Sequence, residues 1–441
     1  MADKRERWFY SYLPTNMAGG CFDTLLPIFV IVALAGKIGD VALISVAASA
    51  ASVPALIFWG RFTDSVKWRK HFIVLGFLGR ATAYLIMGAS VGIGEFMFAN
   101  ILIALLSASS TPAMSILILE MFDKEKWSEK IGLFNNIAGM GNLGGIALGT
   151  LWLAFVPLDP VVALRMLFFA CAALAMVGAM VALLLIHEPD EKLSRETFYD
   201  HILQLMRWTH ERTRYMPTKM YRFFRLSHVK ELSRRHSKGE SYLSLYLVAV
   251  FVYTIGATSF FTIQPVWLLS DVGVDKTSVF FLSFAQALAS TLLFKKMGQL
   301  SDKGDKPRML VTAKMVRFAL FSFYVLALPI ALWNFQTALI YLVILHVAMG
   351  VTWAVIADTH LPIAISAGTH QEKGALAGTF NAVLGVGAIA GGAVAGILAL
   401  AIGYIPSIIL SALFVMMAAV IIRAVVPKKV CIPPGPDIGA P

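Results

Sequence analysis

Asp23, Arg80 and Arg317 are ionisable side chains that stand inside long apolar runs of the sequence. An ionisable group inside an apolar span is costly, so each is a candidate functional group. Asp23, between Phe22 and Thr24, is the main candidate for binding a proton or a cation, because a carboxyl group in such surroundings changes its charge readily. The alternative is a structural ion pair between Asp23 and Arg80, and the sequence favours neither.

A second pair of titratable residues, Asp358 and His360, lies toward the end of a later apolar run. Histidine titrates near neutral pH and can pass protons between an internal site and water. The pair is therefore a second candidate for proton coupling. The alternative is that both residues lie outside the membrane.

A short polar loop motif occurs twice. Its residues are Gly60, Asp64, Arg69 and Lys70 in the first copy and Gly298, Asp302 and Arg308 in the second. The offset of 238 positions is the same for the glycine and the aspartate, which indicates a duplicated unit. A glycine at a helix end permits close helix contact, and an aspartate there can face the positive end of another helix. We therefore predict a charged latch in each copy.

The composition is that of a membrane protein. The 441 residues are 58% hydrophobic and 14% charged, with a mean hydropathy of +0.74. A helix that crosses the bilayer core needs about 20 apolar residues. Twelve such runs occur, at 13–35, 41–60, 71–90, 96–119, 131–156, 162–186, 243–268, 276–296, 310–332, 336–360, 375–401 and 404–426. The prediction is an all-α integral membrane protein with twelve transmembrane helices in two six-helix, pseudo-symmetric halves.

The distribution of charge predicts the topology. Of the 37 Lys and Arg residues, 31 lie near the termini and in alternate loops, which predicts a multi-pass plasma-membrane protein with both termini in the cytoplasm. The predicted units are two halves at 1–186 and 242–427, a basic and partly helical cytoplasmic linker at 187–241, and a tail at 428–441. Topology accounts for the net charge of +11 without a nucleic-acid partner.

Several kinds of chemistry are not supported by the sequence. The three cysteines are too few and too scattered for a disulfide framework or a metal site. A nucleotide-binding loop is missing, and so is any convincing catalytic constellation. We therefore expect no enzyme activity, no cofactor and no metal.

A glycine-rich element also occurs once in each half, in the fifth run. It contains Asn135, Gly139, Gly141 and Gly145 in the first half and Asn381, Gly385, Gly387 and Gly391 in the second. Small residues at this spacing let helix backbones approach closely. These positions are predicted to mediate helix packing.

With twelve apolar runs, a long basic central loop and two copies of the loop motif, the sequence resembles the major facilitator superfamily of secondary transporters over residues 10–426. The resemblance implies two halves that rock about a central cavity, with the loop-motif residues acting as gates. Lys67 stands where the family motif has its second glycine. The fifth run is similar to that of the family's drug exporters, although it has no proline at 139–149.

The resemblance also implies a substrate cavity near the midplane, lined by the first, fourth, seventh and tenth spans. The candidate cavity residues are Phe22, Asn100, Tyr253, Phe261, Gln264 and Trp353. Aromatic groups with a few polar ones suit an amphipathic compound. Arg80 and Arg317 lie on the third and ninth spans, which are peripheral in the family, so we expect them to be buried structural charges.

The favoured function is proton-coupled export of a small amphipathic, drug-like compound by a monomer in the lipid bilayer. One alternative is proton-coupled uptake of a sugar or an organic acid. A cavity with few fixed charges disfavours organic anions unless Arg80 or Arg317 is accessible. A second alternative is a membrane sensor or scaffold that does not transport and docks partners on the 187–241 linker.

Overall fold

The computed structural model describes residues 4–65, 69–122, 127–186, 242–366 and 373–426, and almost all of them are helical. The predicted linker at 187–241 and tail at 428–441 lie outside the described residues. The surroundings of Gly60 and the side chains of Asp64 and Asp302 also lie outside the described part, although the backbones of all three belong to helices.

The N-terminal half begins with a short 3₁₀ helix, Lys4–Ser11. Its helices are α1 (Tyr12–Val32), α2 (Ile38–Ser65), α3 (Arg69–Ala89), α4 (Ile93–Ser107), α5 (Ser110–Met121), α6 (Trp127–Phe155) and α7 (Pro160–Leu185). A single apolar stretch, Ile93–Met114, runs through α4 and into α5, so these two helices form the fourth span.

The C-terminal half repeats this order. Its helices are α8 (Leu243–Trp267), α9 (Lys276–Lys303), α10 (Lys306–Tyr324), α11 (Ala327–Trp333), α12 (Phe335–Ile365), α13 (Lys373–Ile402) and α14 (Tyr404–Val425), with a π-helical turn at Leu268–Val272 after α8.

The prediction of twelve spans in an all-α membrane protein is confirmed. Eleven helices in the described ranges are long and apolar enough to cross a bilayer, and the pair α10 and α11, bent by 40°, makes a twelfth. The break has a local cause. Pro329 lies in the first turn of α11. It has no N–H to donate to residue 325, and its ring clashes with the carbonyl there.

Side-chain caps set the starts of several helices at the polar ends of the apolar runs. Asp159 accepts from the backbone N–H of Val161 at the start of α7, and Asp305 accepts from that of Arg308 at the start of α10. Such caps satisfy backbone donors that the first turn of a helix leaves free. Asp305 belongs to the second copy of the loop motif, so part of that motif begins a helix.

Equivalent glycines pack the fifth span of each half against the first. A Cβ at Gly141 of α6 would lie 2.6 Å from the Leu13 carbonyl oxygen of α1, and one at Gly145 would overlap the Met17 carbonyl. A Cβ at Gly391 of α13 would lie 2.8 Å from the Ile255 carbonyl oxygen of α8. Each glycine thus allows a backbone contact that a side chain would prevent.

The earlier residues of this element do not pack in the predicted way. Asn135 and Asn381 are exposed, and the space beside Gly139 is open. Gly385 is half-buried, whereas Gly387 faces Thr254 of α8 with 2.9 Å to the position of an added Cβ. The predicted packing role therefore belongs to the later glycines, because only these lie where two helices cross.

The two halves meet at one end of the bundle. We call the end where α1, α3 and α10 begin the terminal end. At the opposite end, Thr277 of α9 donates a hydrogen bond to the Leu153 carbonyl of α6, 3.3 Å away. There too, a Cβ at Gly39 of α2 would lie 3.1 Å from Leu400 of α13. These contacts join the two halves at the opposite end.

Candidate functional site

A cavity of about 670 Å³ lies between the two halves. The N-terminal half contributes α1 and α2 to its wall, and the C-terminal half contributes α8, α9, α10, α12 and α13. The residues that line it are Phe22, Asp23, Leu26, Pro27, Val41, Ser45, Tyr253, Thr254, Ala257, Thr258, Phe261, Thr262, Gln286, Arg317, Trp353, Ile356, Ala357, His360, Leu361, Phe380 and Leu384. Its volume lies in the range typical of sites for small organic compounds, roughly 300–1,000 Å³.

Asp23 lies on the wall of this cavity, and its side chain is exposed to the cavity space. It follows Tyr12, the first residue of α1, by eleven positions, which places it about 16 Å along the helix. Pro27, one turn later in α1, also lines the cavity and cannot donate a hydrogen bond to the Asp23 carbonyl. The N-terminal half thus presents a carboxylate to the cavity at mid-depth.

Arg80 lies behind Asp23 and is not among the residues of the wall. Its guanidinium is 3.9 Å from the position of a Cβ at Gly19, one turn before Asp23 on α1. Its positive charge acts on the Asp23 carboxylate. In the described part of the chain no ion pair within 4.0 Å joins the two side chains. Asp23 therefore faces the cavity with a nearby, but not directly bonded, cation.

Arg317 reaches the cavity from the ninth span. Its Nη1 donates to the Tyr253 hydroxyl at 2.7 Å, and its Nη2 donates to the Met349 carbonyl at 2.8 Å. These two bonds hold the guanidinium between α8 and α12, where it borders the cavity although it exposes 0% of its surface. We expected Arg317 to be a structural charge within its half. Its burial and both bonds agree with that expectation, and the structure also places the guanidinium at the cavity wall, because the side chain reaches between two helices that line the cavity.

Two further nitrogen-bearing side chains surround Tyr253. The Lys314 Nζ lies 3.2 Å from the centroid of the Tyr253 ring, and the ring centroids of His360 and Tyr253 are 5.3 Å apart. Three buried nitrogens around this tyrosine, Lys314 Nζ, Arg317 Nε and His360 Nε2, have no hydrogen-bond partner in the described ranges. A buried polar group normally has a partner, so this cluster is unusual.

Aromatic rings form much of the remaining wall near the guanidinium. The centre of the Arg317 guanidinium lies 5.8 Å from the Phe261 ring centroid and 5.7 Å from that of Trp353. Both distances allow cation–π attraction. Trp353 exposes 43% of its surface, so it is the more open of the two rings toward the cavity.

The structure places four of the six predicted cavity residues, Phe22, Tyr253, Phe261 and Trp353, on the wall. Asn100 does not reach it, since its Nδ2 donates to the Ile44 carbonyl at 3.4 Å.

Gln264 is also off the wall. Its Nε2 lies 3.0 Å from the His346 Nε2 inside the C-terminal half. Asn100 and Gln264 were predicted to line the cavity because they lie on helices that line it in the family. In this structure each side-chain amide contacts a residue of a neighbouring helix instead.

The two residues of the second predicted proton-coupling pair have different surroundings. His360 lines the cavity, within the span Phe335–Ala364. Asp358 is not a wall residue, and its Oδ2 lies 3.7 Å from the position of a Cβ at Gly298. Asp358 therefore lies beside the second copy of the loop motif.

The loop-motif cations have different surroundings. Arg69 is buried at the start of α3, Lys70 is half-buried, and Arg308 is exposed on α10. Because the aspartate side chains of both copies lie outside the described residues, gating by this motif stays a prediction.

No function was assigned to Lys314 from the sequence, although it packs on the ring of Tyr253. The signal was present, since Lys314 and Arg317 are three residues apart in one apolar run and so lie on the same helix face. Among the residues that the structure describes, no group of three or more His, Cys, Asp or Glu side chains could hold a metal ion.

The comparisons with known proteins agree with this architecture. A family model described as "Major Facilitator Superfamily" matches residues 9–367. Comparison with curated proteins gave no match.

Solved structures with a similar fold include three transporters. A variant of the nucleoside transporter NupG has 14% identity and a TM-score of 0.66, with 96% of this chain and 100% of that chain covered. A POT family transporter in complex with 5-aminolevulinic acid has 11% identity, a TM-score of 0.70 and 96% coverage of both chains. A bacterial homologue of the human lysosomal transporter Spinster, inward-facing and unoccupied, has 12% identity and a TM-score of 0.68, with 96% and 97% covered. At these identities the likeness concerns the fold alone.

Proposed function

Since the chain belongs to the major facilitator superfamily, we propose that it is a secondary transporter that moves a small amphipathic organic compound across the plasma membrane by alternating access, coupled to protons through Asp23. The observation that carries this proposal is the exposure of the Asp23 carboxylate on the wall of a central cavity at mid-depth. An ionisable group at that depth is costly and is typical of a transported-ion or substrate site.

The closed end of the cavity supports alternating access. The contacts of Thr277 with Leu153 and of Gly39 with Leu400 join the two halves at the opposite end. With the termini in the cytoplasm, as the distribution of basic residues favours, that end faces outward, so this state is closed toward the outside. The outward-open state requires these contacts to break and the loop motifs at the terminal end to come together.

The charge of the compound decides the direction of coupling. A cation competes with a proton for Asp23, which gives exchange and favours export. An acid binds more favourably when Asp23 is protonated, which gives cotransport and favours uptake. On the sequence alone, few fixed charges in the cavity disfavoured organic anions unless Arg80 or Arg317 is accessible. Arg317 is buried but borders the cavity, which supports the uptake of an organic acid.

Proton flux in proteoliposomes tests the proposal. Vesicles that contain the full-length protein and an internal pH-sensitive dye are exposed to lipophilic cations, neutral compounds, sugars and organic acids. One class is expected to move protons, and Asp23→Asn is expected to abolish that movement while the same class still binds. If compounds bind to the wild-type protein and are transported without proton movement, Asp23 is not a coupling group. If no class is bound or moved, the chain is not a transporter of these compounds.

A cross-link tests alternating access separately. Leu153→Cys with Thr277→Cys, in a variant without the native cysteines, can be joined by oxidation because the two positions already touch. The disulfide is expected to hold the opposite end closed and to abolish flux, and reduction is expected to restore it. Full flux in the cross-linked protein would contradict opening at that end.

A further inference from the structure

We propose that the transported compound carries an acidic group, a carboxylate or a similar monoanion, and that Arg317 binds this group with Tyr253 and His360 beside it. The inference rests on the proposed transport function and specifies its substrate class. The Arg317 guanidinium, which is buried in the C-terminal half without an acidic partner among the described residues, is the first observation behind it.

Lys314 and Arg317 both expose 0% of their surface. In the described ranges neither has an acidic side chain within ion-pair distance. A charge removed from water is tolerated when an opposite charge and hydrogen bonds compensate for the lost hydration. A bound anion would supply that charge at the place where Arg317 borders the cavity.

The donors of Arg317 are only partly used. A guanidinium carries five N–H groups. One on Nη1 binds the Tyr253 hydroxyl and one on Nη2 binds the Met349 carbonyl. The Nε–H has no partner among the described atoms. The Nε–H and one N–H on each Nη are therefore not used by these two bonds, and guanidinium donors pair well with the two oxygens of a carboxylate.

Tyr253 and His360 add donors on the same wall. The Tyr253 hydroxyl accepts from Arg317, so its own hydrogen remains to be donated. The described residues offer no acceptor for it. The His360 Nε2 is buried without a partner, and both side chains line the cavity. Lys314, which packs on the other side of Tyr253, adds positive charge but no direct contact with the cavity.

The rest of the wall indicates what the acidic group is attached to. Phe22, Phe261 and Trp353 offer aromatic surface, and Thr258 and Thr262 offer only uncharged polar groups. An apolar or aromatic skeleton with one acidic group fits this wall. Phe261 and Trp353 also flank the guanidinium, so their side chains must turn for the acid to reach it.

Matched compounds on one skeleton test the inference. The probes are 4-phenylbutyrate, 4-phenylbutanamide and 4-phenylbutylamine, with the corresponding sets of hexanoate and indole-3-acetate. Binding to the purified full-length protein in detergent is measured by thermal stabilisation as a function of concentration, since a ligand of the folded state raises the melting temperature. At least one carboxylate is expected to bind tenfold or more tightly than its amide and its amine.

Arg317→Gln is expected to reduce this preference to less than threefold, and Arg317→Lys, which keeps the charge without the fork, is expected to give an intermediate value. If Arg317→Gln does not fold, Tyr253→Phe replaces it and is expected to weaken the same preference. A preference for amides or amines, or an acid preference that survives Arg317→Gln, overturns the inference. If an amine binds and moves protons, the acid site is wrong while proton-coupled transport stands. If none of the nine probes binds, the acid site is overturned as well.

Discussion

The third helices of the two halves, α3 and α10, carry an arginine at the same place in different surroundings. Arg80 follows the first residue of α3 by eleven positions, and Arg317 follows the first residue of α10 by eleven. Arg80 acts on the carboxylate of Asp23. Arg317 binds a tyrosine hydroxyl and a backbone carbonyl instead. Arg80 thus lies near a carboxylate of opposite charge, whereas Arg317 has only uncharged hydrogen-bond partners among the described residues.

A second position increases this difference. Lys314 follows the first residue of α10 by eight positions, and the matching residue of α3 is Phe77. Phe77 is buried and packs edge-on against Tyr12, with ring centroids 4.8 Å apart. The duplicated frame therefore keeps its helices and glycines but not its charges. The N-terminal half supplies a group that can hold a proton, and the C-terminal half supplies a positive wall.

The largest expected effect distinguishes the two arginines. Arg317→Gln is expected to weaken binding of a carboxylate on the order of 100-fold, because a two-pronged charged pair contributes about 3 kcal/mol. Arg80→Gln is expected to change the same affinity by less than about threefold and to lower the melting temperature instead, since Asp23 loses its neighbouring cation. Isothermal titration and thermal unfolding of both variants measure this. Equal losses of affinity would show that the halves do not differ as described.

Substitutions at Lys314 and at its counterpart Phe77 are expected to change the melting temperature in opposite directions. Lys314→Met removes a buried cation without a partner while keeping a similar shape, so the melting temperature is expected to rise and carboxylate affinity to fall about tenfold. Phe77→Lys places a cation in the apolar interior of the N-terminal half and is expected to lower the melting temperature strongly. A lower melting temperature for Lys314→Met would mean that this lysine holds the fold together.

A smaller effect is expected at Tyr253. Tyr253→Phe keeps the ring under Lys314 but removes the hydroxyl that accepts from Arg317. Without the hydroxyl, one N–H of Arg317 loses its acceptor and the bound carboxylate loses a donor. Carboxylate affinity is therefore expected to fall about tenfold, while amide affinity changes little. The same titrations measure it. An equal loss for the amide would place the tyrosine in the apolar part of the site.

The number of membrane-spanning helices was predictable because the thickness of a bilayer sets the length of each apolar run. The duplication was predictable because glycines and aspartates recur at the same spacing in both halves. Asp23 was predictable as a candidate because an acid inside an apolar run is costly unless it faces a cavity or pairs with another charge, but the sequence did not decide between these two surroundings. Pro329 also shows why the ninth span bends, although its span was predicted as one continuous run.

The wall of the cavity was less predictable. Whether a residue of the ninth span reaches the cavity depends on how α8 and α12 cross, and Arg317 gets there by bonding to one residue on each. Asn100 shows the reverse case, since its side chain turns toward α2 and bonds to Ile44. Both outcomes follow from contacts between helices far apart in sequence, which spacing along one helix does not reveal.

The division of roles between the halves is tested most directly by the pH change when the tightest-binding carboxylate is added to purified protein in weakly buffered detergent. The titratable groups near Asp23 include Arg80 and Tyr84 of α3 and the buried thiol of Cys21, and Tyr253, Arg317 and His360 line the same cavity from the C-terminal half. A bound acid adds negative charge to the cavity, so Asp23 is expected to take up a proton and the solution to become more alkaline. Asp23→Asn is expected to bind the acid with no pH change. Proton release on binding, or an equal uptake by Asp23→Asn, would contradict the assignment of the proton to the N-terminal half and the acid to the C-terminal half.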